Sequence, residues 1–243
     1  MPKKQGDIAE YLEPDEMNRL LNVVVGDLYY STLYNVLRYT GRRIGEIYGT
    51  YREVSKNNYK LIGGIQVKDI DFERNQMKTI ILKTKNKKSQ TLCSNCNKKC
   101  GINNNFCPDC GTRLPEVKKT RIEYDKEVMI PLRKEFKSLL LKYIKEGNKY
   151  RKKKKLSKHD YLFREVPLPT LKKKIKQHVK EADIKKNVSL HSFRRYFITR
   201  CKIKGISNED IAKWTGHQEP ATVNIYDSRI SEDVREKIEN VDL

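Results

Sequence analysis

The chain has 243 residues, of which 52 are Lys or Arg and 31 are Asp or Glu, so its formal net charge is +21. This length suits one large domain, or one domain with a small module. No apolar run approaches the ~20 residues that cross a bilayer, and the first residues show no secretory signal, so we expect a soluble, cytoplasmic protein. The large positive charge favours a polyanionic partner, of which nucleic acid is the commonest, over a solvated lysine-rich surface.

The first part of the chain predicts three helices. Glu13–Glu16 opens the first, because proline fits a first helical turn and acidic side chains suit its positive end. Apolar residues at helical spacing predict a second helix over Leu28–Tyr39, ended by Gly41, and a short third one over Ile44–Ile47. Residues 51–64 have little periodicity and are typical of an insertion.

Alternating apolar residues then predict a small sheet. Strands are expected over Ile65–Asp71 and Met77–Lys83, with a third between Thr120 and Pro131. The remaining pattern is helical, over Lys134–Glu146, Leu171–Ala182, Ser192–Lys204 and Asn208–Thr215, with a last helix from Ser231. The order predicts an α+β fold that is mostly α-helical and contains a small antiparallel three-stranded sheet.

A cysteine cluster lies between the second and third predicted strands. Two C-x-x-C pairs, Cys93 with Cys96 and Cys107 with Cys110, are separated by ten residues, and Cys100 stays outside this regular spacing. Such pairs form tight turns whose four thiolates surround zinc, whereas disulfides are disfavoured without a secretory signal. We therefore predict a zinc-ribbon-like insertion over residues 91–116, ordered by a structural Zn²⁺ that performs no catalysis.

Three short segments carry residues suited to phosphate chemistry. The segment TGRRIGE contains Arg43; the segment HSFRR places His191 and Arg194 three residues apart on one helical face; and TGH ends at His217, nine residues before Tyr226. Each of these residues alone has an ordinary structural explanation, such as a surface charge, a helix cap or a core aromatic. Their combination indicates a site.

In order and spacing, these segments resemble the three boxes of the tyrosine recombinase, or phage integrase, family, and the resemblance runs from about residue 11 to residue 226. It implies the tyrosine-recombinase catalytic fold and a site-specific recombinase that cleaves and rejoins double-stranded DNA. The nucleophile would be Tyr226, which forms a covalent 3′-phosphotyrosine. The family's general-acid lysine corresponds to Lys83, with Lys85 as the second choice.

The resemblance assigns roles to the other four residues. Arg43 and Arg194 would clamp the phosphate oxygens with their guanidinium forks. His191 would accept the tyrosine proton, and His217 would donate to a phosphate oxygen. No catalytic metal and no nucleotide would be required.

The family's organisation sets further expectations. Arg43 comes too early in the sequence for a separate amino-terminal core-binding domain, so residues 1–243 are expected to form one catalytic domain. We expect a monomer in solution, a homo-tetramer on paired DNA sites, no membrane association, and a DNA-associated location in a prokaryote or virus. The alternatives are a type IB topoisomerase, a recombinase that has lost activity, or a non-enzymatic regulator, because residues 207–216 resemble a helix-turn-helix motif.

Overall fold

The computed structural model describes residues 10–55, 58–86, 91–100, 104–114, 121–151, 155–217 and 223. These described residues fall into two compact units, one formed by residues up to 81 and from 127 onward, the other by residues 82–126. Among them, the helices are α1 (Pro14–Val23), α2 (Leu28–Thr40), α3 (Ile44–Tyr48), α4 (Lys134–Glu146), α5 (Leu168–Glu181), α6 (Ser192–Ile203) and α7 (Asn208–Thr215). The strands are β1 (Thr50–Ser55), β2 (Asn58–Ile62), β3 (Ile70–Asp71), β4 (Gln76–Asn86), β5 (Thr91–Leu92), β6 (Lys99–Cys100) and β7 (Arg121–Pro131).

Helix α2 lies at the centre of the larger unit. Asp27 caps its start by accepting hydrogen bonds from the backbone amides of Tyr29 and Tyr30 at 3.1 and 3.4 Å. Its side chains are buried on several faces, which is the pattern of a helix surrounded by others. It packs against α1, α4 and α6. This central helix carries the first of the three sequence boxes at its carboxyl end.

The three-stranded sheet has the order β3–β4–β7, and β3 runs antiparallel to β4. The predicted sheet is therefore present, but the prediction of one strand over Ile65–Asp71 was wrong for its first five residues, since β3 contains only Ile70 and Asp71. There the chain forms a 3₁₀ turn over Val67–Asp69. The backbone amide of Val67 donates to the Asp160 carbonyl oxygen, and that of Lys68 donates to the Lys158 carbonyl oxygen. A loop distant in sequence therefore accepts the hydrogen bonds that a neighbouring strand would otherwise accept.

The segment predicted as an insertion with little periodicity, residues 51–64, contains most of a β-hairpin. Strands β1 and β2 pair antiparallel, with Thr50 opposite Ile62 and Glu53 opposite Tyr59. This two-stranded sheet is separate from the other sheets of the described residues.

The four later helices have bounds close to those predicted, and those of α4 and α7 coincide with the prediction. Helix α5 begins three residues early, at Leu168, because Pro169 fits a first helical turn. The helix expected from Ser231 lies outside the described residues. No described helix is sufficiently long and apolar to cross a membrane.

Candidate active site

Arg43 stands where α2 gives way to α3. Gly41 ends α2 in the left-handed conformation, with φ of 62°, and Arg43 then caps α3. The Arg43 backbone amide donates to Glu46 Oε2 at 2.9 Å, and its Nη1 donates to Oε1 at 3.2 Å. Glu46 is buried, whereas the Arg43 side chain is 42% exposed. A buried carboxylate thus orients an arginine that stays accessible to an anion.

Arg194 lies in the first turn of α6 and is fully buried. Its Nη1 donates to the Gly41 carbonyl oxygen at 3.0 Å, and its Nη2 donates to the Thr215 carbonyl oxygen at 2.7 Å. One guanidinium therefore joins the end of α2 to the end of α7. Arg194, from the segment HSFRR, therefore contacts both the segment TGRRIGE and the segment TGH.

His217 follows directly after α7 and lies against Arg194. Its Nδ1 is 2.7 Å from the Thr215 hydroxyl, which donates to the Ile211 carbonyl oxygen, so the hydrogen-bond network assigns the imidazole proton to Nδ1. The other nitrogen, Nε2, then accepts from Arg194 Nη2 at 3.3 Å. Burial, followed by the positive charges of Arg194, Arg43 and His191, lowers the pKa of His217 to about 3. The imidazole is neutral at neutral pH.

His191 caps α6 and is exposed. Its charge is among those that lower the pKa of His217, together with those of both arginines. The structure therefore brings four of the six residues expected to be catalytic into one electrostatic neighbourhood: Arg43, His191, Arg194 and His217.

The other two expected catalytic residues have no described side chains. Tyr226 lies outside the described residues. Val223, three residues earlier, is buried with Ile198 and Ile211. Lys83 and Lys85 lie on β4, where the structure describes the backbone, within the smaller unit.

Trp214 supports this site and was missed in the sequence analysis. Its indole nitrogen donates to the Thr40 carbonyl oxygen at 3.1 Å, and its ring stacks on Phe197 with centroids 6.4 Å apart. A side chain on Gly41 would collide with the same Phe197 ring, so the glycine is required by close packing as well as by its positive φ. The single tryptophan of the chain was the available sequence signal.

Arg42 is a second residue that the sequence analysis passed over. It is fully buried, and none of its three guanidinium nitrogens has a hydrogen-bond partner among the described residues. Burial lowers its pKa to about 10, against the attraction of Glu46. A buried cation of this kind is costly, which leads to a prediction below.

The four cysteines predicted as metal ligands converge in the smaller unit. The sulfur atoms of Cys93, Cys96, Cys107 and Cys110 all lie within 4.8 Å of one another, and the two closest pairs are 3.4 and 3.5 Å apart. A tetrahedron with zinc–sulfur bonds of ~2.3 Å has sulfur–sulfur edges of about 3.8 Å. This set could hold a metal ion of that size and preference.

Two matching turns present these sulfur atoms. In the first, the Asn97 amide donates to the Cys93 carbonyl oxygen; in the second, the Gly111 amide donates to that of Cys107, both at 2.9 Å. Asn97 and Gly111 both have positive φ, of 55° and 69°. The side chain and backbone of Thr112, both hydrogen-bonded to the Cys110 sulfur, lower the pKa of the Cys110 thiol to about 6, which favours the thiolate that binds metal.

Comparisons with known proteins bear on this geometry. The phage integrase family model matches residues 111–232, half of the chain. The chain belongs to the phage integrase family. A comparison with curated protein sequences found no match.

Solved structures show the same fold for this phage integrase. XerA recombinase superposes with a TM-score of 0.60 at 20% identity, covering 100% of this chain and 68% of that one. The Tn1549 transposon integrase in complex with circular intermediate DNA has a TM-score of 0.57 at 16% identity, covering 92% of this chain and 62% of that one. XerH site-specific recombinase bound to palindromic difH substrate gives 0.54 at 16% identity, covering 98% and 55%.

The family and fold confirm the expectations of a tyrosine recombinase and an α+β, mostly helical catalytic fold. As a phage integrase, the chain is an enzyme that cleaves and rejoins DNA. It spans between 55 and 68% of the three compared structures.

Proposed function

We propose that the chain is a site-specific recombinase that cleaves one DNA strand with Tyr226 and joins it to another strand. The observation that carries the proposal is the convergence of Arg43, His191 and Arg194 on His217, which lies 3.3 Å from Arg194 Nη2 and whose pKa all three residues lower. Two guanidinium groups that act on one imidazole repel each other until an anion enters the site. A phosphodiester is the anion that a DNA-cleaving enzyme must hold.

The proposed reaction exchanges one phosphorus–oxygen bond for another. The Tyr226 phenol attacks the scissile phosphate and passes its proton to His191, while the bond to the 5′ oxygen breaks. Lys83 gives its proton to that departing oxygen. The result is a 3′-phosphotyrosine and a free 5′ hydroxyl, and a 5′ hydroxyl from a second DNA reverses the same step. No nucleotide is consumed, because the phosphotyrosine keeps the bond energy.

The arginines and His217 stabilise charge on the non-bridging oxygens. The exposed guanidinium of Arg43 binds the phosphate from the solvent side. The buried guanidinium of Arg194 is held in position by its hydrogen bonds to two backbone carbonyl oxygens. The phosphate's negative charge raises the pKa of His217 from its low value in the free protein. His217 then becomes a hydrogen-bond donor to the phosphate.

The cysteine cluster has a structural role in this proposal. Cys93, Cys96, Cys107 and Cys110 would fill all four positions of a Zn²⁺ ion, so the metal would order the zinc-ribbon-like insertion, residues 91–116, and would take no part in cleavage. Because this insertion follows β4, its order helps to hold the strand that carries Lys83. The rest of the chain forms the recombinase catalytic domain. The protein is a monomer when free and assembles into a tetramer on paired DNA sites. It acts on DNA in the cytoplasm.

A trapping experiment tests the proposed function. The protein is incubated with a pool of random-sequence duplexes that each carry a nick, so that cleavage beside the nick releases a short fragment and traps the covalent adduct. Denaturing electrophoresis and mass mapping should place the DNA on the peptide containing Tyr226. Tyr226→Phe should retain DNA binding and lose the adduct; an adduct on another residue, or none with the unmodified chain, would contradict the proposal.

Two further experiments separate the finer roles. Lys83→Ala should regain cleavage when the 5′ bridging oxygen is replaced by sulfur, because a thiolate leaves without a proton, whereas Arg43→Ala should not. If Lys85→Ala alone is rescued, the general acid is Lys85. Mixing two marked DNA substrates distinguishes strand exchange from the topoisomerase alternative, which would relax supercoils without exchanging strands.

A further inference from the structure

The β1–β2 hairpin is a part of the larger unit that the proposed chemistry does not use. Its strands expose large aromatic side chains: Tyr51 is 61% and Tyr59 60% exposed. Lys60 is also exposed and has no ion-pair partner among the described residues. Over residues 50–62 the sequence has three Lys or Arg and one Glu. The hairpin thus combines aromatic rings with excess positive charge.

Among the described side chains, both faces of the hairpin carry exposed residues. The register places Tyr51 opposite Leu61 and Glu53 opposite Tyr59, so the two tyrosines share one face. Lys60 belongs to the opposite face. A two-stranded hairpin is marginal in water by itself, so a partner lying against these exposed side chains would stabilise it. A partner that meets both faces must surround the ribbon, as the walls of a DNA major groove do.

The base of the hairpin is attached to the helix that Arg43 caps. The Thr50 hydroxyl donates to the Gly45 carbonyl oxygen at 3.4 Å, and the Gly64 amide donates to that of Glu46 at 3.0 Å. Helix α3 has five residues, which at 1.5 Å each separates Arg43 from the hairpin base by about 8 Å. The hairpin therefore begins about 8 Å from Arg43, the residue proposed to hold the phosphate.

Arg164 fixes the direction of the tyrosine face at this base. Its guanidinium carbon lies 4.8 Å from the ring centroid of Tyr48 and 5.2 Å from that of Tyr51. Its Nη1 also donates to the Tyr48 carbonyl oxygen, and its Nη2 to the Tyr51 hydroxyl, both at 3.4 Å. Arg164, Tyr48 and Tyr51 thus form a cluster of one cation and two phenol rings that contains no carboxylate. Such a cluster can donate hydrogen bonds to phosphate oxygens.

We propose that the β1–β2 hairpin is a DNA-binding ribbon that grips the duplex beside the cleaved phosphate, with Tyr51, Tyr59, Lys60 and Arg164 on phosphates and groove edges. This inference rests on the proposed function, since it takes the phosphate at Arg43 as its starting point. Strands of five and six residues extend for roughly 17–20 Å. At 3.4 Å per base pair, the ribbon covers about five base pairs on one side of the cleavage position.

The first test removes the ribbon. A Cβ on Gly49 would lie 3.3 Å from the Gly63 carbonyl oxygen, so the two ends of the hairpin adjoin and residues 50–62 can be replaced by a single glycine. Affinity for a labelled duplex of arbitrary sequence, measured by anisotropy over a salt series, should fall about tenfold or more. The hydroxyl-radical footprint on a trapped Tyr226 adduct should shorten by about five base pairs on one side.

Point variants keep the test independent of any folding defect in the deletion. Lys60→Ala should lower the slope of log affinity against log salt by about 0.9, and Tyr59→Ala should weaken binding without changing that slope. The matched control is Lys149→Ala, because the ammonium group of Lys149 is already 3.0 Å from the Asp27 carboxylate.

The outcomes separate this inference from the proposed function. Unchanged affinity, slope and footprint in the hairpin variants, with a normal Tyr226 adduct, would overturn the ribbon and leave the recombinase standing. The same result accompanied by a loss of self-association in sedimentation would assign the hairpin to a second copy of the chain instead. An unmodified protein that neither binds the duplex nor forms the adduct would overturn both.

Discussion

Arg43 and Arg194 are expected to differ sharply in what their loss does to folding. In Arg194→Met, the Gly41 and Thr215 carbonyl oxygens each lose a charge-assisted hydrogen bond inside the protein. At about 1.5–3 kcal/mol for each such bond, partly offset by removal of a buried charge, the free energy of unfolding should fall by about 3–5 kcal/mol. In Arg43→Met, the buried Glu46 carboxylate keeps its hydrogen bond from the backbone amide at position 43 and loses the 42%-exposed guanidinium, so the fall should be smaller, about 1–2 kcal/mol.

The assay uses the single tryptophan. Trp214 donates to the Thr40 carbonyl oxygen beside this network, so its fluorescence in a urea titration reports the docking of α7 on the end of α2. Both variants should lose the covalent DNA adduct, but only Arg194→Met should shift the urea midpoint strongly. Equal stability losses, or an unchanged midpoint in Arg194→Met, would refute the assignment of Arg194 as a structural bridge.

Three further predictions follow from the same structure. The pKa of His217 is about 3 in the folded chain and near 6.5 in the unfolded chain, so the unfolded state binds a proton first and the free energy of unfolding should fall as pH drops from 6.5 towards 3. The urea midpoint, measured over this pH range, should depend less on pH in His217→Asn. An equal pH dependence in the variant would contradict this. Cys96→Ser should abolish zinc retention measured by elemental analysis, whereas Cys100→Ser should retain one Zn²⁺ per chain; equal retention would exclude the four-sulfur site. Arg42→Met should raise the free energy of unfolding by about 1–4 kcal/mol in the same titration, and a destabilised variant would show that Arg42 has an acceptor.

Much of the helical framework could be predicted because its signals are local. Proline and acids at the start of α1, the glycine after α2 and the apolar spacing along α4 all act within one or two turns. The three boxes could also be identified, because the residue types around Arg43, His191, Arg194 and His217 resemble, in order and spacing, those of a known family. Their convergence needed the fold, because it depends on Arg194 reaching carbonyl oxygens 153 and 21 residues away.

Other features could not be predicted because their partners are distant in sequence. The hairpin of β1 and β2 has exposed residues on both faces among its described side chains, and its sequence lacks the apolar alternation that marks a half-buried strand. Arg151 begins a run of five cations, a pattern typical of a solvated loop, yet its side chain is 5% exposed and its Nε donates to Glu165 Oε1 at 3.0 Å. A run of charged residues indicates that the segment as a whole is exposed. It does not show that one of its members, here Arg151, forms a buried ion pair with Glu165.

The bridge made by Arg194 couples the integrity of the fold to the proposed chemistry. The guanidinium that the proposed function assigns to the phosphate also joins the carboxyl end of α2 to the carboxyl end of α7. Under that proposal, a copy of the chain in which α7 has not packed beside α2 would lack a correctly placed Arg194 and could not cleave DNA.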